Sequence, residues 1–200
     1  MIKHYRIHEV SEYINWVYFF HAWGFQPRYA AIANIHGCDA CRALWLANFP
    51  ENERAKAAEA MQLFKEANRM LTRLDADYQT HAIFRLMEAN SEENDLWLEG
   101  IRFPFLRQQT AKEGEPYLCL SDFIRPLSSG IPDKIGLFAT SVDAGMETLY
   151  ANDTYQHLLV QTLADRLAEA TAEKMHETIR KEIWGYAPDE ALSIHQLHNE

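Results

Sequence analysis

The sequence predicts an α+β fold in which helices pack around one antiparallel β-meander. Three observations carry that expectation. Residues 51–75 and 155–188 are long stretches rich in helix-forming residues with helical apolar spacing. Between them lie four short apolar runs bounded by turn residues. The loops joining those runs are too short to hold a crossover helix, so the strands pair antiparallel. Helices, then a meander, then a long helix is the order of an α+β domain.

Residues 1–10 read as a short polar, extended lead-in. A helix is expected at about 11–23, with Ser11 as its cap and Gly24 as its stop. Its aromatics Trp16, Tyr18, Phe19, Phe20 and Trp23 read as core. Residues 25–50 are irregular and hold the run HGCDACRALW. In the helix over 51–75, Pro50 and the acidic pair Glu51 and Glu53 suit the start. Leu63, Phe64, Ala67, Met70, Leu71 and Leu74 form its buried stripe. Strands are expected near 80–88, 95–103, 117–123 and 134–142.

The stretch 155–188 has no Gly or Pro until Gly185 and reads as one helix of about eight turns. Val160, Leu163, Ala164, Leu167, Ala168 and Met175 make its apolar arc. Arg166, Glu173 and Glu177 are expected in solvent. At the border, Asp165, Glu169, Ala172, His176 and Arg180 share a partly shielded ledge, because spacings of three and four keep them on one side. Such a ledge is either a row of i,i+4 ion pairs, each contributing about 0.2–0.5 kcal/mol, or a site.

Hydrophobic residues at 48% and charged residues at 24% fit an ordinary globular domain, and 200 residues suffice for one. A formal net charge of -10 disfavours nucleic acid and anionic membrane as partners. No signal-like apolar segment opens the chain and no apolar run is long enough to span a membrane. Three cysteines do not make a disulfide framework, and a reducing cytoplasm is the expected compartment. Cys38 and Cys41 form a CxxC with His36 two residues before it. Thiols at this spacing bind metal or cycle as a disulfide. Cys119 is either a further ligand or, from its apolar surroundings, a buried core thiol.

Several segments together resemble the C-terminal activation (reactivation) domain of cobalamin-dependent methionine synthase. They are Tyr13-Ile-Asn-Trp16 with Phe19-Phe20, Leu63-Phe-Lys-Glu-Ala-Asn68, Ala89-Asn90 followed by Asn94-Asp95, and Leu106-Arg-Gln-Gln109. Next come Leu120-Ser-Asp-Phe123, Ile135-Gly-Leu-Phe-Ala139, Thr162-Leu-Ala-Asp-Arg-Leu-Ala-Glu-Ala170, His176-Glu-Thr-Ile-Arg-Lys181 and Trp184-Gly-Tyr-Ala-Pro188. They follow the family's order, cover most of residues 11–190, and mark residues 1–200 as a single domain of this kind.

The resemblance implies a C-shaped α+β unit with a twisted antiparallel sheet. It also implies a chemistry. When the cobalamin of the synthase is oxidised, the activation domain covers the cobalamin domain and presents S-adenosylmethionine. A reductase such as flavodoxin supplies an electron, and a methyl group passes to cobalt. Asp95 matches the family aspartate that accepts a hydrogen bond from the ligand's amino group, and Glu169 a glutamate lining the same site. Asp165 matches the aspartate that helps hold the cobalamin domain's displaced histidine. The family completes the ligand site with an RxxxGYP segment and later residues, and this sequence ends at Glu200 without them. The expectation is therefore a shortened, stand-alone module with an incomplete ligand site, which is no methionine synthase by itself. Two alternatives stand beside it: a cobalamin-domain-binding or chaperone-like protein that has lost the methyl donor, and a thiol or metal protein using Cys38, Cys41 and His36.

Overall fold

The two long periodic stretches become the two long helices of a computed structural model, which describes residues 1–197. The chain begins with strand β1 (Ile2–Arg6), helix α1 (Ile7–Ser11) and helix α2 (Trp16–Ala22). A 3₁₀ segment (Pro27–Asn34) leads to α3 (Asp39–Ala47) and α4 (Glu51–Asp77). Strands β2 (Gln79–Glu92), β3 (Asp95–Leu98), β4 (Ile101–Pro104) and β5 (Asp133–Val142) follow. The chain closes with α5 (Thr154–Thr178), a π-helical turn (Ile179–Ile183) and the short α6 (Ile194–Leu197). This is the expected α+β class. No helix among the described residues is long and apolar enough to cross a membrane.

Packing divides the chain into two units. A hairpin unit comprises Met1 and Ile83–Ala139, and a helical unit comprises Ile2–Ala82 with Thr140–Glu200. The sheet order is β1-β2-β3-β4, with β5 also paired to β2. Strands β2, β3 and β4 run as an antiparallel meander with Glu92 opposite Asp95, Asp95 opposite Pro104 and Leu98 opposite Ile101. β5 returns to β2 and does not extend the meander beyond β4.

In the helical unit, α5 packs on α1, α2 and α4. Leu159, Val160, Leu163, Leu167 and Met175 are almost wholly buried. From the partner elements come Ile7, Val10, Phe19, Phe20, Ala67 and Met70. Thr162 and Thr171 face inward as well, and each hydroxyl donates to the carbonyl four residues back, at 2.8 and 2.7 Å. The hairpin unit has a smaller core of Ala89, Leu96 and Leu98, packed by Met87, Phe105, Ile124 and Ile135.

Several sequence expectations are corrected. The helix placed at 11–23 is two helices. Ser11 ends the first, and Asn15 caps the second by accepting from Val17 N at 3.1 Å. The lead-in is extended only to Arg6. α3 falls in the stretch read as irregular. The run near 95–103 is two strands, because Glu99 and Gly100 both adopt positive φ (48° and 85°), which is the geometry of a tight hairpin turn. Residues 120–123 form a 3₁₀ turn and not a strand. Tyr18 is 58% exposed and not core. Arg166, Glu173 and Glu177 are partly buried and not in free solvent. Glu177 accepts from Tyr13 Oη and pairs with Lys181, both at 2.5 Å. The long helix keeps α geometry only to Thr178 before the π turn.

Gly136 on β5 is set by a close approach. A Cβ there would stand 2.8 Å from Cε2 of Phe84, whose ring is buried. Gly136→Ala is expected to cost about 1–3 kcal/mol, the usual penalty of overpacking. Urea unfolding checks this, and a midpoint equal to the parent's would refute the close-packing account.

Candidate functional site

Asp95 opens β3, directly after the turn Glu93-Asn94. Its side chain is 17% exposed and accepts from Nε of Arg102 at 2.6 Å. Arg102 stands opposite Trp97 on β4, so the contact is a diagonal cross-strand ion pair. Asp95 is thus a carboxylate that already holds a planar cation.

Beside it lies a polar clasp that the sequence reading did not single out. Arg107 grips Asp122 with two hydrogen bonds of 2.7 Å. Its Nε donates to Oδ1 of Asn94 at 2.9 Å and its Nη1 to the Tyr117 carbonyl at 2.6 Å. Asp122 also accepts from Cys119 N at 2.8 Å. Ser121 Oγ donates to the Glu93 carbonyl at 2.8 Å. These bonds tie the turn before Asp95 to the segments 106–109 and 120–123. The Arg107 guanidinium, joined by the Cys119 amide, brings the Asp122 carboxyl down to about 2. A cleft of about 590 Å³ alongside is lined by Ser91, Glu92, Ser121, Asp122 and Leu127. The signal that points to the clasp in the sequence is that Asn94, Arg107 and Asp122 each sit inside a quoted motif segment.

Asp165 and Glu169 lie on α5 in the helical unit. Both are exposed, as is His176, so that part of the stripe is an open face and not a shielded ledge. Glu169 accepts from Nη1 of Arg166 at 2.7 Å. Arg166 is 18% exposed, and its guanidinium lies 5.9 Å from the centre of the Tyr18 ring. Arg180 is bidentate to Glu190, at 2.6 and 2.8 Å. The partners of Glu169 and Arg180 therefore lie off the stripe. A cleft of about 640 Å³ in this unit is lined by Glu12, Asn15, Trp16, Arg28, Asn34 and Asn68, none of them a predicted site residue.

The CxxC also lies in the helical unit. Cys38 precedes α3 and Cys41 sits in its first turn, with Cys41 N donating to Cys38 Sγ at 3.3 Å. Hydrogen bonds from the Cys41 thiol and from His36 bring the Cys38 thiol down to about 7. Cys119 belongs to the hairpin unit, where it is buried with Sγ 3.8 Å from the Asn94 carbonyl. It is a core thiol.

The family model for the activation domain of vitamin B12 dependent methionine synthase matches residues 6–200. The chain belongs to that family. Its fold is also that of a crystal structure of the MetH reactivation domain bound to AdoHcy. The two agree with a TM-score of 0.81 and 34% sequence identity, and the match covers 100% of this chain and 60% of that one. The resemblance read from the short segments is thus that of a true family member. Three of those segments are the ones the hairpin-unit clasp joins.

The clasp sets an acid dependence. A carboxyl held at about 2 when folded, against an ordinary value of about 4 unfolded, stabilises the fold above about pH 4 and loses that effect as pH falls toward 2. Asp122→Asn is expected to lower stability at pH 6 and to flatten its decline between about pH 4 and 2. Unfolding midpoints of parent and variant across that window measure this. Parallel curves would show that the clasp does not titrate as described.

Proposed function

We propose that this chain is an activation module that supports reductive methylation of cobalamin in a cobalamin-dependent methionine synthase. It would act in trans on a partner that carries the cobalamin. Residues 1–200 are taken as one domain of the family. The observation that carries the reading is the family match over residues 6–200, together with the placement of Asp95 at the hairpin end. The related crystal structure holds AdoHcy, the demethylated form of S-adenosylmethionine. S-adenosylmethionine, when bound, supplies an electrophilic methyl group, and a cytoplasmic reductase such as flavodoxin would supply the electron.

The residues present suit that ligand. Asp95 is a largely buried carboxylate already engaged with a cation, which is the chemistry an ammonium group requires. Asp165, exposed on α5, is assigned to the partner's cobalamin domain, where a carboxylate beside a histidine favours its protonated form. The hairpin unit also exposes Leu106, Leu120 and Phe123 at 93%, 62% and 70%, apolar surface of the kind that partner proteins cover.

Titration calorimetry with S-adenosylmethionine, alone and with a cobalamin-loaded synthase fragment, tests the reading. Saturable binding is expected, weakened about ten- to a hundredfold in Asp95→Ala, the cost of losing a charge-assisted hydrogen bond. No heat at millimolar ligand in either setting would sink the proposal. Capture of the cobalamin fragment without any ligand binding would favour the interaction-protein alternative instead.

A further inference from the structure

The run His36-Gly37-Cys38-Asp39-Ala40-Cys41 plays no part in the function proposed above. The fold nevertheless brings its three chemically active side chains together. One ligand atom from each of His36, Cys38 and Cys41 lies within 4.8 Å of the others. We propose that these three residues form a binding site for a borderline-soft divalent cation of the zinc class, held by two thiolates and one imidazole.

The backbone explains the cluster. Cys38 is extended (φ -77°, ψ 157°) and immediately precedes α3, whereas Cys41 is already helical. That change of conformation across a CxxC turns both sulfurs to the same side of the helix start. The Cys41 amide is aimed at Cys38 Sγ at 3.3 Å. Such a bond orients a thiolate and offsets its charge, as outer-shell donors do at metal centres. His36 approaches from the preceding extended residues. Gly37 lies beside Arg42, whose Nη2 would make only an ordinary contact of 3.7 Å with a Cβ there. Arg42 is itself paired to Asp39 at 3.3 Å.

The dimensions and the donor set agree. Ligand atoms on a tetrahedral zinc stand about 3.5–3.8 Å apart, from metal–sulfur and metal–nitrogen bonds of about 2.3 and 2.0–2.1 Å. The cluster needs to contract by only about 1 Å to reach that spacing. Two sulfurs and an imidazole select zinc-class ions over magnesium or calcium, which take oxygen ligands. Binding is a proton exchange: each thiol gives its proton to solvent as its sulfur bonds to the metal. Two thiolates and a neutral imidazole around a dication carry no net charge. His36 is exposed and both cysteines are half-buried, so the fourth position faces solvent. Among the described residues the group holds three ligands, which leaves that position for water or for a donor from a partner.

Cobalt(II) titration of the reduced, anaerobic chain tests the site. The expected result is thiolate-to-cobalt charge-transfer absorption together with intense tetrahedral d–d bands. They should saturate at one equivalent and be displaced by zinc. Cys38→Ser and Cys41→Ser are each expected to weaken binding about a hundredfold or more, and His36→Ala about tenfold or more, with unchanged circular dichroism. Should a variant fail to fold, alkylation mapping of the parent decides the matter: zinc must shield Cys38 and Cys41 from the reagent. The proposal is overturned by a lack of charge-transfer absorption at excess cobalt. It is equally overturned by bands that persist in the double cysteine variant, or by alkylation that zinc does not change. A Cys38–Cys41 pair that takes up no metal when reduced but forms a disulfide on oxidation would make it a redox dithiol instead.

Discussion

The one-sided burial of α5 is the constraint on which the helical unit depends. Leu159, Val160, Leu163, Leu167 and Met175 are removed from water against α1, α2 and α4. Burying each such side chain contributes about 1.5–3 kcal/mol, so the rotational setting of the helix is not negotiable. Asp165 lies two residues from both Leu163 and Leu167, and Glu169 lies two residues beyond Leu167. At about 100° per residue, two steps place a side chain roughly opposite its neighbour. Core packing therefore pushes both carboxylates outward, whatever they do there. The same geometry leaves Arg166, next to Leu167, partly covered and available to reach Glu169 at 2.7 Å.

The hairpin unit is organised differently. Its buried cluster is small, and many of its large apolar side chains remain exposed. Order in its long segments comes from polar contacts. Arg107 joins Asn94, the Tyr117 carbonyl and Asp122, and Asp122 in turn takes the Cys119 amide. Asn90 ties the Arg125 and Ile131 carbonyls to β2 in the same manner, at 3.1 and 2.9 Å. A carboxylate that satisfies both a guanidinium and a backbone amide holds a loop where little apolar area is available to do so. That accounts for the geometry of residues 120–123. The alternating pattern YLCLSDF suits a strand, but the Asp122 side chain claims the Cys119 amide that a strand would have spent on a ladder.

What was legible in the sequence follows from this contrast. Helices α4 and α5 were readable because their stability lies in a repeating apolar face, and periodicity records that directly. The family was readable because short segments recur in order across both units. The break between α1 and α2 was hidden, since Ser11 and Asn15 are both good caps and only packing decides which is used. The Glu99-Gly100 turn was hidden because Glu rarely takes positive φ. The Arg107–Asp122 pair spans fifteen residues with no local spacing rule, so its members looked like separate motif fragments. The His36, Cys38 and Cys41 cluster was legible as a spacing, but the helix start that turns its sulfurs together was not.

Under the proposed function, Asp95 would carry a structural pair and a ligand contact on one group. The carboxylate is fixed at the head of β3 and is 17% exposed, whereas its partner Arg102 is 60% exposed at the end of a flexible side chain. The exposed guanidinium recovers its hydration when it leaves, so such a pair adds little to stability. In the proposed function, a ligand ammonium delivered to Asp95 would replace one cation by another at the same carboxylate. The cost of such an exchange would fall on the exposed partner, and the turn that positions the carboxylate is held independently by Asn94 and Arg107. Under the proposed function, binding there would not require the hairpin to be rebuilt. On that proposal Arg102 would be a place-holder, while the clasp behind the turn holds the backbone from which Asp95 projects.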